Sequence, residues 1–153
     1  MSDESNALRD GAFMDALFSL ALPSDESRKL PAAGGLGLAA TVAEGLRCDP
    51  LLGPFVEAGA EALREAALAQ HPQGLEGMTP EAGTELLKSQ MAAHPMLMMG
   101  LARYLYPAYY AHPRVLAAIG EPPRPRFPEG FTVQPTDPVL LEKLKARAKS
   151  QKG

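Results

Sequence analysis

Three histidines, His71, His94 and His112, are the residues of this sequence best suited to bind a metal ion. Helical zinc and iron sites place a second ligand three or four residues from a histidine, and none of the three has one at that spacing. Each histidine directly precedes a proline, which favours extended backbone at a helix boundary. We therefore predict exposed histidines at helix junctions and no metal site.

The residues that could act as nucleophiles, acids or bases also form no catalytic set. Cys48 is the only cysteine, which excludes an internal disulfide and a cysteine-only metal site. No catalytic signature surrounds it, so we expect a small buried hydrophobic residue. The neighbouring Asp25 and Glu26 lie in a polar segment, where carboxylates are solvated and not tuned for catalysis. We predict that the chain is not an enzyme on its own.

A glycine motif, Gly35-x-Gly37-x-x-Ala40, loosely matches the dinucleotide-binding fingerprint, and Glu57 follows Gly37 by 20 residues. That fingerprint binds a pyrophosphate only when a strand delivers the glycines to the start of a helix. The sequence has no strand pattern before Gly35, so we interpret the glycines as packing residues and predict no bound cofactor.

A methionine-rich stretch, residues 91–99, precedes four tyrosines within residues 104–110. Methionine adapts its shape and tyrosine is amphipathic, so both suit protein interfaces as well as cores. The apolar segment 95–111 is too short to cross a membrane and is interrupted by Arg103 and Pro107. A core and an interface therefore remain alternative interpretations of this segment.

Helices must position all these residues, since apolar positions recur every three or four residues and no useful strand pattern is present. The fold class is all-α, a compact bundle of about five to seven short helices. Asp10 and Thr79 are expected caps, and Pro80 and Pro113 expected first residues. Phe55 and Leu63 are expected on the buried face of their helix. The predicted helices are 10–22, 35–47, 55–70, 80–93, 96–111 and 113–120.

The composition changes after residue 120. Residues 121–138 hold six of the 15 prolines and two phenylalanines, Phe127 and Phe131. We predict a helical domain over 1–120, an extended proline-rich arm over 121–138, and a C-terminal helix and tail over 139–153. Because proline presets the backbone, such an arm loses little entropy when it binds a partner.

Charge excludes some partners. The net charge is −3, which argues against nucleic acid as a partner. Because the first residues are acidic and polar, we expect neither a signal peptide nor a twin-arginine leader. We expect a cytoplasmic chain without membrane insertion, which reaches the periplasm only if a partner carries it.

Short motifs along nearly the whole chain resemble one family. They are L-P-x-D at 22–25, L-P-A-A at 30–33, Y-x-x-Y-Y-x-H-P-x-V at 106–115, I-G-x-P at 119–122 and P-x-G-F at 128–131. Together they resemble the small subunit (subunit 3) family of gluconate 2-dehydrogenase, although the twin-arginine leader of many relatives is missing here.

The resemblance implies a non-catalytic subunit that stabilises a large flavoprotein of the glucose–methanol–choline oxidoreductase type. FAD and the sugar or alcohol substrate would bind to that partner, and a cytochrome acceptor is a further candidate partner. A free-standing helical binding or regulatory protein is the alternative. The residues expected to contact the partner are Met98, Tyr106, Tyr109, Tyr110, His112, Phe127 and Phe131.

Overall fold

The structure is a computed structural model that describes residues 6–121 and four positions near the C-terminus, Val139, Glu142, Lys143 and Arg147, all of them helical. The chain divides into two compact units, Met1–Pro123 and Arg124–Gly153. The predicted arm with Phe127 and Phe131 lies outside the described residues, apart from Glu121.

The first unit is built from helices, as predicted. The α-helices are α1 (Gly11–Ala21), α2 (Ala39–Arg47), α3 (Gly53–Gln70), α4 (Pro80–Ala93), α5 (Met96–Ala111) and α6 (Pro113–Ala118). Short 3-10 helices span Ala7–Arg9, Ala33–Leu36 and Gly74–Gly77. Within residues 6–121 the only extended pairing is a single bridge between Asp25 and Leu30. The all-α prediction is therefore confirmed.

Local sequence signals set most helix starts. The Asp10 carboxylate accepts the backbone N–H of Phe13 at 3.1 Å, and the Thr79 hydroxyl accepts that of Ala82 at 3.3 Å. Each bond satisfies one of the backbone donors that a helix start leaves unpaired. α5 continues through Pro107 to Ala111, so this proline does not end the helix.

The predicted helix over 35–47 is wrong in its first third. A 3-10 helix ends at Leu36, and Gly37 has a φ of 68°, a left-handed conformation that interrupts the chain before α2. The glycine that permits close packing is Gly34, where a Cβ atom would lie 1.9 Å from the Asp15 carbonyl oxygen. A Cβ atom on Gly35 or Gly37 would meet nothing within 4 Å, so the interpretation of these two glycines as packing residues was wrong.

The core lies between α1, α2, α3 and α5. Its largest fully buried side chains come from all four of these helices and include Phe13, Phe18, Leu46, Leu63 and Leu101. The prediction for α3 was wrong at its first apolar position, because Phe55 is 60% exposed and the next residue, Val56, is buried instead. The buried residues of α3 are Gly53, Val56, Gly59, Ala60, Leu63 and Ala67.

Candidate interaction surface

The helices α3 and α5 meet through small residues. A Cβ atom on Gly100 would lie 2.3 Å from Cγ2 of Val56, and one on Gly59 would lie 3.0 Å from Cβ of Leu97. The earlier residue of α3 faces the later residue of α5, so the two helices run antiparallel. Glycine at these positions lets the backbones approach more closely than larger residues would allow.

Phe55 and Met99 lie on the same side of this seam. Each precedes by one residue a member of the contacting pair Val56 and Gly100. Successive side chains of an α-helix are rotated by about 100°, and in an antiparallel pair the two preceding residues turn to the same side. Phe55 is 60% exposed and Met99 is 56% exposed, so two large apolar side chains border the seam in solvent.

The exposed side of α5 continues this apolar surface. Met99, Arg103, Tyr106 and Tyr110 follow one another at intervals of four, three and four residues, which places them in one row along the helix. All four are exposed, whereas Leu97, Leu101 and Leu105 on the opposite side are buried. We call Phe55, Met99, Arg103, Tyr106 and Tyr110 the α3–α5 face.

Tyr109 belongs to the core rather than to this face. It is 2% exposed, and its hydroxyl donates a hydrogen bond of 2.8 Å to the carbonyl oxygen of Pro31. Burial raises the pKa of Tyr109, because the phenolate would be poorly solvated. Its ring meets that of Tyr110 edge-on, with centroids 5.2 Å apart. The buried ring of Tyr109 therefore packs against the exposed ring of Tyr110.

Tyr104 joins α5 to the turn before α3. Its hydroxyl donates to the Asp49 carboxylate at 2.7 Å, and its ring occupies the space where a Cβ atom on Gly45 would lie. Asp49 also accepts the backbone N–H groups of Leu51 and Leu52, both at 2.9 Å. The Leu52 N–H and the Tyr104 hydroxyl lower the pKa of Asp49. This carboxylate fixes the position of the α3–α5 seam.

The predicted contact residues have different locations. Tyr106 and Tyr110 are exposed on the α3–α5 face, whereas Met98 is half-buried and packs on the core. His112 ends α5 and caps α6, because its Nδ1 accepts the backbone N–H of Arg114 at 3.3 Å. Phe127 and Phe131 lie outside the described residues.

Sequence reasoning placed Phe55 on the buried face of its helix, and it left Met99 open between core and interface. Leu51, just before α3, is 77% exposed and was also missed. The sequence of α3 allows two buried rows. A row through Val56, Gly59 and Leu63 fits the apolar and small residues of this helix as well as the row that starts at Phe55 does.

The remaining candidates for chemistry have structural roles or are exposed. His71 accepts the backbone N–H of Gln73 through Nδ1 at 3.2 Å, and all three histidines are half-buried rather than exposed. Cys48 is exposed, so the expectation of a buried cysteine was wrong. Its sulfur lies 3.5 Å from Oε1 of Glu44. Among residues 6–121 no group of three potential ligands is placed to hold a metal ion.

A carboxylate of α3 ties the first described residues to that helix. Glu61 accepts the backbone N–H of Ala7 at 3.1 Å and also forms an ion pair with Arg64. The neighbouring carboxylate of Glu57 accepts a hydrogen bond from the Asn6 amide. Two carboxylates of α3, Glu57 and Glu61, therefore have hydrogen-bond partners within the chain.

A groove of about 400 Å³ lies beside these residues and is lined in part by Arg9, Glu44, Arg47 and Glu57. Arg47 donates two hydrogen bonds to Glu44, at 2.6 and 2.9 Å. Two arginines and two glutamates balance the charge of the groove, so it favours neither an anion nor a cation.

In the part of the chain that the structure describes, no helix has the length and apolar character needed to cross a membrane. No protein-family model matches the sequence, and no curated protein or solved structure matches it significantly.

Proposed function

We propose that the chain is a non-catalytic subunit that binds and stabilises a large FAD-dependent sugar or alcohol dehydrogenase of the glucose–methanol–choline type. The identity of the partner comes from the resemblance of the motifs at 22–33 and 106–131 to the small subunit of gluconate 2-dehydrogenase. FAD and substrate would belong to the partner, and a cytochrome would be its candidate electron acceptor. The proposed compartment is the cytoplasm, or the periplasm when the partner carries the chain there.

The observation that carries this proposal is the α3–α5 face. It places an exposed phenylalanine, methionine and two tyrosines together, around one arginine. Aromatic residues, methionine and arginine are enriched at protein interfaces, and tyrosine and arginine are frequent among the residues that dominate binding energy. A face of this composition supports a role in binding another protein.

A free-standing helical binding or regulatory protein is the second candidate. The observation that favours it is the closed core of the first unit, in which Phe13, Met14, Leu17 and Phe18 are all buried without help from a partner. A core of this kind supports a unit that folds on its own.

Gentle purification of the tagged full-length chain from its native host separates the two candidates. We expect a large chain to co-purify, with flavin absorbance near ~450 nm. Mass spectrometry identifies that chain, and the bound flavin is released and quantified. A colourless monomer, obtained from cells in which a flavoprotein dehydrogenase is expressed, would refute the subunit proposal and favour the free-standing protein.

The proline-rich arm provides a second test of the same proposal. If Phe127 and Phe131 are buried anchors in the complex, replacing both with alanine should weaken it by roughly several kcal/mol. The measurement is the amount of flavoprotein retained on the tagged chain after washing. Unchanged retention would show that neither phenylalanine anchors the complex.

A further inference from the structure

The exposed row on α5 has the same spacing in both directions. Helices pair in coiled coils when their contact residues alternate at intervals of three and four. The row shows this alternation as four, three and four, over Met99, Arg103, Tyr106 and Tyr110. A second α5 that runs antiparallel therefore brings its Tyr110 to Met99 and its Tyr106 to Arg103. The row is complementary in spacing to a copy of itself.

The core holds α5 in its helical conformation before any other molecule binds. Leu97, Leu101 and Leu105 are buried on the side of α5 opposite the row, and the helix is continuous over Met96–Ala111. The row spans about 17 Å, or about three turns. An isolated helix of that length is only marginally stable in water. Because α5 is already ordered, pairing through the row does not carry that entropic cost.

The α3–α5 face has no charge of a single sign. Arg103 is its only charged residue, and it interacts electrostatically with the Asp49 carboxylate of the same chain. At the other end of the row, Asp25 interacts with Tyr109, which packs against Tyr110. Two copies of the face therefore meet without strong repulsion, and the face offers no charge complementarity to a strongly acidic or basic protein.

The exposed rings set the size of the contact. Phe55 is 60% exposed, Tyr106 46% and Tyr110 49%, and a fully buried aromatic side chain removes about 150–250 Å² from water. The three rings of two copies together can therefore bury roughly 600 Å². Further area comes from Met99, which is 56% exposed, and from the stem of Arg103. Because a specific interface buries about 1,000 Å² or more in total, the face has the area of a weak, reversible dimer.

We propose that two copies of this chain pair through the α3–α5 face when no other protein covers it, with their α5 helices antiparallel about a two-fold axis. The axis passes between Arg103 and Tyr106, so each contact occurs twice. Met99 packs on the ring of Tyr110 of the second copy, a favourable sulfur–aromatic contact. Arg103 stacks on the ring of Tyr106 of the second copy, a favourable cation–aromatic contact. Phe55 extends the contact beside Met99.

The inference goes beyond the proposed function, because it concerns the chain in the absence of a flavoprotein. A flavoprotein that binds the same face would separate the two copies.

Sedimentation equilibrium of the purified full-length chain, produced without any flavoprotein, is the first test. We expect a reversible monomer–dimer equilibrium with a dissociation constant of about 10–100 μM. Tyr106→Ala removes a central ring from both copies and should raise that constant by about tenfold or more. The matched control is Leu68→Ala, which truncates a comparably exposed apolar side chain at the far end of α3 and should leave the constant unchanged.

Circular dichroism and thermal unfolding verify that each variant is folded. A chain that stays monomeric up to about 1 mM would overturn the inference. A dimer that is equally stable with Tyr106→Ala would overturn it as well, because the contact would then lie elsewhere.

Disulfide crosslinking tests the antiparallel arrangement. The background is Cys48→Ser, which removes the exposed native thiol, and chains with Met99→Cys are mixed with chains carrying Tyr110→Cys. We expect mixed disulfides between the two variants, because the two positions meet across the axis. The control Lys88→Cys, at an exposed position on α4, should crosslink with neither. A predominance of disulfides between two Met99→Cys chains would indicate a parallel contact and overturn the inference.

These results separate the dimer from the proposed function. A chain that is monomeric alone, yet co-purifies with a flavoprotein from its host, contradicts the dimer and supports the proposed function. A chain that dimerises and crosslinks as expected, but brings no flavoprotein from its host, supports the dimer and refutes the proposed function.

Discussion

Replacing Gly100 with alanine tests the close contact between α3 and α5 that places Phe55 and Met99 side by side. The added Cβ atom would lie 2.3 Å from Cγ2 of Val56, whereas ordinary contacts of a Cβ atom lie at 3.4 to 4 Å. One helix must therefore move by more than 1 Å, or Val56 must change rotamer. Val56 is fully buried and β-branched, so its rotamer is restricted.

Two effects of opposite sign determine how much Gly100→Ala changes the free energy of unfolding. Alanine in a helix interior is favoured over glycine by about 0.5–1 kcal/mol. Overpacking of a buried contact destabilises by about 1–3 kcal/mol, and the short distance here indicates the upper half of that range. We expect Gly100→Ala to lower the free energy of unfolding by about 1–2 kcal/mol, which corresponds to a fall in Tm of about 3–8 °C.

The assay is urea or thermal unfolding followed by circular dichroism. Gly11→Ala is the matched control, because a Cβ atom at that exposed position would meet nothing within 4 Å; it should be neutral or stabilising by up to about 1 kcal/mol. The double variant Val56→Ala, Gly100→Ala should be less destabilised than the two single changes together by at least about 0.5 kcal/mol. A Gly100→Ala protein as stable as the original, with no coupling to Val56, would refute the packing argument.

Three further measurements address buried and exposed groups. Tyr109→Phe should lower the free energy of unfolding by about 0.5–1.5 kcal/mol, because the carbonyl of the half-buried Pro31 loses its donor, and an unchanged urea midpoint would contradict the hydrogen bond. The folded pKa of Asp49 lies below the ordinary value of 3.8, so its contribution to stability is present above about pH 4 and is lost as the pH falls through the folded pKa. Asp49→Asn should therefore show less loss of stability below pH 4 than the original chain, and parallel pH profiles would contradict this. Cys48 should react with a maleimide in the folded protein at a rate close to that in the unfolded protein, whereas strong protection would mean that it is buried.

The sequence by itself determined where most helices begin and end. Asp10 supplies a cap, Thr79 supplies another, and Pro80 follows it with a preset φ angle, so the starts of α1 and α4 were predicted to within a residue. The bounds of α5 were also predicted correctly, from Pro95 before it and His112-Pro113 after it. These signals act within one or two turns of the chain, and they need no partner from elsewhere in the fold.

The tertiary structure decided which sides of those helices are buried. Phe55 and Val56 are both apolar neighbours on α3, and only the approach of α5 at Gly100 selects Val56 for the core. Tyr109 and Tyr110 are likewise adjacent and identical in type, yet one reaches the Pro31 carbonyl and the other faces solvent. Burial depends on the direction from which distant segments approach. Residues of equal hydrophobicity on one helix can therefore be assigned to the core or to the surface only once that direction is known.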